Sequence, residues 1–140
     1  MIINNMKRKQ LEKSQLNQKG HRLTPQRLAI LRYLHGVTCH PTAETVYKNV
    51  KQTIPHISLA TIYRNLKYLA LEGYILQFHD EDDKVHYDGN PTDHIHFICQ
   101  KCNEIFDIFS PININSPELK KIGTPKITIC KIFGTCNKCK

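Results

Sequence analysis

The feature that most constrains the fold of this chain is a pair of Cys-x-x-Cys motifs, Cys99/Cys102 and Cys136/Cys139, separated by 33 residues. Two such pairs can close a tetrahedral site around one zinc ion, and two redox disulfides are the alternative use of the same thiols. The spacing exceeds the roughly 15 to 20 residues of a compact zinc ribbon, so a strand–helix–strand segment must lie between the motifs. Zinc would tie the end of that segment to its beginning and so hold a small domain together.

The length of 140 residues fits one domain or two small ones, of which the smaller would need such a staple. No apolar run approaches the roughly 20 residues of a membrane span. Residues 1–18 are basic but lack the apolar core of a secretory signal. We therefore expect a cytoplasmic protein without a membrane partner, in a reducing compartment where paired Cys-x-x-Cys motifs bind metal more often than they form disulfides.

The excess positive charge of the chain lies entirely in its N-terminal part. Residues 1–80 contain 12 Lys/Arg and 4 Asp/Glu, a net charge of +8, whereas residues 81–140 contain 8 of each and are neutral. A basic half of this kind predicts a polyanionic partner, most simply double-stranded DNA. Solubility alone is the alternative explanation.

The same basic part has the pattern of a winged helix-turn-helix. A polar, basic helix is predicted over residues 7–18, and three further helices follow. The predicted caps of those three helices are Thr24, Thr42 and Ser58. The residues predicted to end them are Gly36, the turn at 54–56 and Gly73. Apolar alternation from Tyr74 to Tyr87 then predicts a β-hairpin. An ordinary small helical domain is the alternative.

In a winged helix the third helix enters the major groove. On that helix the predicted DNA-binding residues are Thr61, Tyr63, Arg64 and Asn65. Two further predicted DNA-binding residues, Lys19 and Arg22, lie before the first capped helix. Arg64 and Asn65 are expected to reach base edges, and Tyr63 a phosphate or a thymine methyl group.

A second set of metal-binding side chains remains after the cysteines are assigned. Its members are His40, Asp88, His94, His96 and Asp107. Alternation over residues 93–99 predicts a strand, which places His94 and His96 on one face, as two ligands to one ion require. Because His40 belongs to the DNA-binding half, an ion shared by this set would fix the angle between the halves. A sealed thiolate site beside a mixed nitrogen and oxygen site predicts a metal-dependent switch. Taken alone, each His or Asp is more simply a surface or core residue, and it is the set of five together that favours metal.

These residues resemble the ferric uptake regulator family over roughly residues 17–140. The matching stretches are RLTPQR (22–27), HPTAE (40–44), SLATIYRNL (58–66), DHIHFICQKC (93–102) and GTCNKC (134–139). The resemblance implies an α+β fold, with a winged-helix DNA-binding domain over residues 1–88 and a small α/β dimerisation domain over residues 89–140. It also implies a homodimeric, metal-activated repressor on an inverted-repeat operator, and no enzymatic activity.

The resemblance assigns both sets of ligands. The four cysteines match the family's structural Zn²⁺ site, and the His/Asp set matches its regulatory site, whose imidazole and carboxylate ligands suit Fe²⁺ or Mn²⁺. Iron-sensing members more often carry Glu at the position of Asp107, whereas Asp resembles the peroxide-sensing branch. In that branch Fe²⁺ and hydrogen peroxide oxidise a ligating histidine, for which the matching positions are His40 and His94. The metal then leaves and DNA is released.

Three other functions predict different behaviour. An iron or zinc homeostasis repressor of the same family would respond to metal without histidine oxidation. A hydrolytic metalloenzyme would need an open coordination position and a general base, has no His-Glu-x-x-His motif here, and leaves the basic half unexplained. A constitutive DNA binder held by structural zinc would bind DNA regardless of added Fe²⁺ or Mn²⁺.

Overall fold

The computed structural model describes residues 23–110, 116–125 and 127–140. The helix predicted over residues 7–18 lies outside these ranges, as do Lys19 and Arg22. The elements in chain order are α1 (Pro25–Gly36), α2 (Ala43–Thr53), α3 (Leu59–Leu71), β1 (Leu76–His79), β2 (Val85–Asp88), β3 (Ile95–Cys99), β4 (Ile105–Ile108), α4 (Pro117–Ile122) and β5 (Cys130–Gly134). None of the helices in the described ranges is long and apolar enough to cross a membrane.

The three predicted caps begin the three helices. Thr24 Oγ1 accepts a hydrogen bond from the backbone N–H of Arg27 at 3.4 Å, and Ser58 Oγ accepts one from Thr61 at 3.1 Å. Each bond satisfies a donor that the first helical turn leaves free. Thr42 also precedes its helix, but its side chain caps no backbone N–H. Gly73, with φ of 74°, makes the left-handed turn that ends α3 and turns the chain toward β1.

The helices and the hairpin share one apolar core. Its largest fully buried aliphatic side chains are Ile30, Leu34, Ile62, Leu66, Leu69 and Ile75. Tyr74 and Tyr87 close this core from the hairpin side. The chain then leaves β2 through Gly89, where a Cβ atom would lie 2.7 Å from the backbone carbonyl carbon and oxygen of Leu34. Only glycine fits this approach, which holds the end of β2 directly against α1.

The C-terminal sheet has the strand order β4-β3-β5, with β3 antiparallel to β4 and parallel to β5. The sequence predicts a last strand that includes Ile127 and Ile129, but the strand begins only at Cys130. The reason is the strand register. Cys130 pairs with Ile95, which is the first residue of β3, so the residues before Cys130 lie beyond the end of β3 and have no strand to pair with there. The segment between the two cysteine motifs also contains the expected helix, which is the short α4 over Pro117–Ile122. The predicted α+β class, a winged helix joined to a small α/β unit, is likewise confirmed.

Candidate metal centres and DNA-reading helix

The four cysteines of the two motifs meet at one edge of the C-terminal sheet. Cys99 ends β3 and Cys136 follows β5, and the ends of neighbouring parallel strands lie side by side. The four sulfur atoms lie within 4.8 Å of one another. The Sγ atoms of Cys102 and Cys136 are 3.9 Å apart, close to the ~3.8 Å edge of a tetrahedron whose metal–sulfur bonds are ~2.3 Å. The spacing therefore fits a four-thiolate zinc site.

The pKa values of the thiols in this cluster also favour a bound cation. Backbone N–H groups of Cys136 and Cys102 point at the Cys99 sulfur and lower the pKa of Cys99 to about 6. The Cys136 donor lies 3.3 Å from that sulfur. The neighbouring sulfurs of Cys136 and Cys102 raise the pKa of Cys139 to about 12. One thiolate therefore forms easily, whereas further negative charge needs a positive ion among the sulfurs, which Zn²⁺ would supply.

The second cluster draws its members from both halves of the chain. His40 precedes α2, Asp88 ends β2, His94 and His96 lie at β3, and Asp107 lies on β4. The register places Asp107 directly opposite His96, so both side chains face the same side of the sheet. His94, two residues before His96, shares that face, as the alternation predicts. The five predicted residues are therefore together, with one ligand atom from each lying within 4.8 Å of all the others.

The ring nitrogens of this cluster converge on two carboxylate oxygens. Asp88 Oδ2 lies 2.8 Å from Nε2 of His94, 3.1 Å from that of His96 and 3.5 Å from that of His40. Asp107 Oδ1 lies 2.8 Å from Nε2 of His40 and 3.5 Å from that of His94. Neighbouring ligands at right angles around an ion with ~2.1 Å bonds lie ~3.0 Å apart, so these spacings suit a shared ion. Four of the five residues are buried, and Asp107 is partly buried.

The tautomer of His94 supports the same interpretation. Its Nδ1 lies 2.7 Å from the backbone carbonyl of Thr92 and must donate to it, because a carbonyl oxygen only accepts. In the neutral ring Nε2 then carries a lone pair that faces carboxylate oxygens. Two electron-pair donors at 2.8 Å require a proton or a metal ion between or beside them. A carbonyl that holds the other ring nitrogen is the usual support of a metal-binding histidine.

In the metal-free protein a proton takes the place of the cation. Burial lowers the pKa of His40, but the carboxylates of Asp107 and Asp88 outweigh it and raise the pKa to about 9. The same opposing effects raise the pKa of His94 to about 10. Conversely, burial raises the pKa of Asp107, but His40 and His94 outweigh it and lower the pKa to about 2. The pKa of Asp88 is held below its ordinary value by His40, His94 and His96 against the same effect of burial.

These pKa values predict that metal binding releases protons. At pH 7 the rings of His40 and His94 carry protons, and a metal ion needs the unprotonated Nε2 atoms. The apparent affinity for Mn²⁺ should therefore rise by about 10-fold or more per pH unit between about pH 7 and pH 8.5. Calorimetric titration in two buffers of different ionisation enthalpy counts the released protons. The variant His56→Ala, which removes an exposed histidine outside the cluster, should behave like the unaltered protein. Binding without proton release would contradict the prediction.

Two further side chains, which no motif in the sequence singled out, support the cluster. The ring of Phe78, on β1, stacks on His96 with centroids 4.2 Å apart. His86, on β2, donates from Nδ1 to the carbonyl of His40 at 2.6 Å, and its Nε2 lies 2.8 Å from Asp80. Alternation along β2 indicates that His86 shares the face of Asp88, so a signal for it existed in the sequence.

The α3 helix presents only part of its predicted DNA-reading face. Tyr63 and Arg64 are exposed and Thr61 is partly buried. The prediction that Asn65 lies on this face is wrong, because the residue is buried and its Oδ1 accepts a hydrogen bond from Arg27 Nε at 3.2 Å. Asn65 thus ties α3 to α1.

This combination of fold and sites defines a class, the metal-responsive winged-helix regulators. Residues 18–132 match the ferric uptake regulator family, and the chain belongs to that family, whose regulators are dimeric DNA-binding proteins. The chain is 37% identical over 128 residues to the peroxide-responsive repressor PerR of Staphylococcus epidermidis, covering 89% of this chain and 85% of that protein.

Solved structures give the same picture. The Campylobacter jejuni peroxide stress regulator is 31% identical, with a TM-score of 0.65 over 94% of this chain and 97% of that one. The Helicobacter pylori ferric uptake regulator Fur has a TM-score of 0.66 over 96% of this chain and 92% of that one. At 21% identity the latter likeness shows the fold alone.

Proposed function

We propose that this protein is a cytoplasmic, homodimeric transcriptional repressor that binds an inverted-repeat operator when Fe²⁺ or Mn²⁺ occupies its His/Asp site. We further propose that it senses hydrogen peroxide through iron-catalysed oxidation of His40 or His94. The observation that carries the proposal is the convergence within 4.8 Å of five ligand atoms from the winged helix and the C-terminal sheet. The named relatives that respond to peroxide support the choice of branch.

The ligand assignments follow from that convergence. We assign Cys99, Cys102, Cys136 and Cys139 to a structural Zn²⁺ site. We assign His40, Asp88, His94, His96 and Asp107 to the regulatory site, whose imidazole and carboxylate donors suit Fe²⁺ and Mn²⁺. We place the boundary between the two domains at residues 88 and 89, directly after a ligand.

The position of His40 explains how metal controls DNA binding. This residue lies between α1 and α2, whereas Asp107 lies on β4 of the C-terminal sheet. When both hold one ion, the winged helix takes a fixed orientation on that sheet. In a dimer this orientation sets the distance between the two α3 helices, which must match two half-sites of the operator. We propose that Arg64, Tyr63 and Thr61 read that DNA, with Lys19 and Arg22 as further contacts.

The same geometry suits peroxide sensing. The chemistry that bound iron would supply is the oxidation of a neighbouring imidazole by hydrogen peroxide. One electron from Fe²⁺ would split the O–O bond into hydroxide and a hydroxyl radical, and the radical would add to the nearest ring. The ring adduct would then return one electron to Fe³⁺ and release a proton, so the ring gains one oxygen atom and water is the other product. The side chains of His40 and His94 are 3% and 0% exposed, so a radical formed among them meets an imidazole before bulk water. An oxidised ring has a less basic nitrogen and is a poorer ligand, so the winged helix loses its anchor. Mn²⁺ does not support this reduction, and the manganese-loaded protein should resist peroxide.

Peptide mass spectrometry after brief peroxide treatment tests the proposal. The iron-loaded dimer should gain one oxygen atom on His40 or His94, and the manganese-loaded protein should gain none there. The exposed His79 is an internal control, because radicals produced in bulk solution would oxidise it as well. Unmodified His40 and His94, in protein shown to hold iron at this site, would instead indicate an iron or other metal homeostasis repressor.

A further inference from the structure

The hairpin formed by β1, its turn and β2, residues 76–88, is here called the wing. Its turn carries the four consecutive acidic residues 80–83, of which 81–83 are exposed. The basic side chains beside them are Lys84, His86 at Asp80 and His79 at Asp83. The surrounding N-terminal part is strongly basic, with a net charge of +8 over residues 1–80. DNA phosphates repel carboxylates and attract lysine and arginine. The negative charge at the tip of the wing therefore disfavours contact with DNA.

The wing tip contacts the C-terminal sheet instead. Glu81 Oε1 accepts a hydrogen bond at 2.8 Å from Nε2 of Gln100, which lies between Cys99 and Cys102. Lys131 Nζ, on β5, donates to the backbone carbonyl of His79 at 3.0 Å. One side chain from the turn after β3 and one from β5 thus hold the end of β1 and the start of the wing's turn.

The base of the wing lies against the His/Asp cluster. Phe78 stacks on His96, and Asp88 contributes an oxygen to the cluster itself. The backbone N–H of Tyr87 donates to the carbonyl of Pro41 at 3.0 Å, next to His40. The wing therefore spans the sheet from the cysteine cluster to the His/Asp cluster.

From these contacts we propose that the wing is a strut between the winged helix and the C-terminal sheet, held by Gln100 and Lys131 as positioning residues, and is not a DNA contact. This inference rests on the proposed function for the roles of metal and DNA. The strut holds Asp88 and His40 close to the ligands on β3 and β4 before metal binds. Less conformational entropy is then lost when the ion binds, and the affinity for the ion is higher. In this arrangement α3 contacts the DNA and the wing does not.

The double variant Gln100→Ala/Lys131→Ala tests the strut. Hydrogen–deuterium exchange should become at least about 5-fold faster at wing residues 79–86 in the metal-free protein, because two hydrogen bonds are lost. The Mn²⁺ concentration for half-saturation, followed by electron paramagnetic resonance without DNA, should rise about 10-fold. The matched control Asn137→Ala/Lys138→Ala changes the same residue class in the second cysteine motif, whose Lys138 contacts Glu104, and should change neither quantity.

A DNA titration at saturating Mn²⁺ tests the other half of the proposal. Asp82→Asn removes one charge from the wing tip without touching either contact, and should change operator affinity less than about 2-fold with the same salt dependence. Arg64→Ala should lower affinity about 10-fold. A large gain in affinity for Asp82→Asn, with a salt slope steeper by about one, would place the wing on DNA.

Unchanged exchange and Mn²⁺ binding in the double variant would overturn the strut. Absence of metal-dependent DNA binding in the unaltered protein would defeat the proposed function, while the exchange measurement still decides the strut.

Discussion

Replacing Cys136 with serine is expected to remove zinc and to unfold the C-terminal sheet. The residue is buried, and its sulfur lies 3.9 Å from that of Cys102. Because a serine hydroxyl stays protonated at neutral pH and binds zinc poorly, the variant loses one of the four thiolates that the site needs. The sheet has little else to hold it, because α4 buries no residue and β5 has no fully buried one. Structural zinc is worth ~10 kcal/mol or more in apparent binding free energy, which is comparable to the whole stability of a domain.

Zinc content and thermal unfolding of the purified variant measure this effect. Cys39→Ser is the matched control, because Cys39 is an exposed thiol outside the cluster and its loss should leave both quantities unchanged. One zinc ion per chain together with normal melting in Cys136→Ser would refute the four-thiolate site.

The variant His94→Ala should fold and retain zinc, yet lose metal-stimulated DNA binding. In the unaltered protein Nε2 of His94 is fully buried and lies 2.8 Å from Asp88. Alanine at this position leaves the carboxylates of Asp88 and Asp107 without one of their partners and the ion without one of its ligands. Since loss of even a supporting group around a metal typically costs 10- to 100-fold in affinity, loss of a ligand should lower Mn²⁺ affinity by ~100-fold or more. Removing metal from the unaltered protein with a mild chelator should have the same effect on DNA binding.

The measurement is a pair of Mn²⁺ titrations, one of direct binding and one of operator binding. His56→Ala removes an exposed histidine outside the wing and outside both clusters, and should respond to Mn²⁺ like the unaltered protein. If His94→Ala still bound operator in a Mn²⁺-dependent way, His94 would not be a ligand.

Much of the local structure was predictable because it depends on neighbouring residues. Hydroxyl caps at Thr24 and Ser58 mark the starts of α1 and α3, and alternation puts His94 and His96 on one face. Residue chemistry also separated four cysteines from the His/Asp set. The predictions that were wrong concern contacts between distant segments. Asn65 is polar and sits at a helical position that suits DNA, but the approach of Arg27 from α1 draws it inward.

The sequence by itself determined the class of fold, the two sets of metal-binding side chains and the basic character of the N-terminal half, since residue type and spacing carry that information. Tertiary structure alone decided that Asp107 lies opposite His96, where the last strand begins, and where the acidic tip of the wing rests. Strand register and the docking of one unit on another join residues far apart in the chain. Their geometry depends on turn geometry and on the packing of segments against one another, so the residue pattern of one segment does not give it.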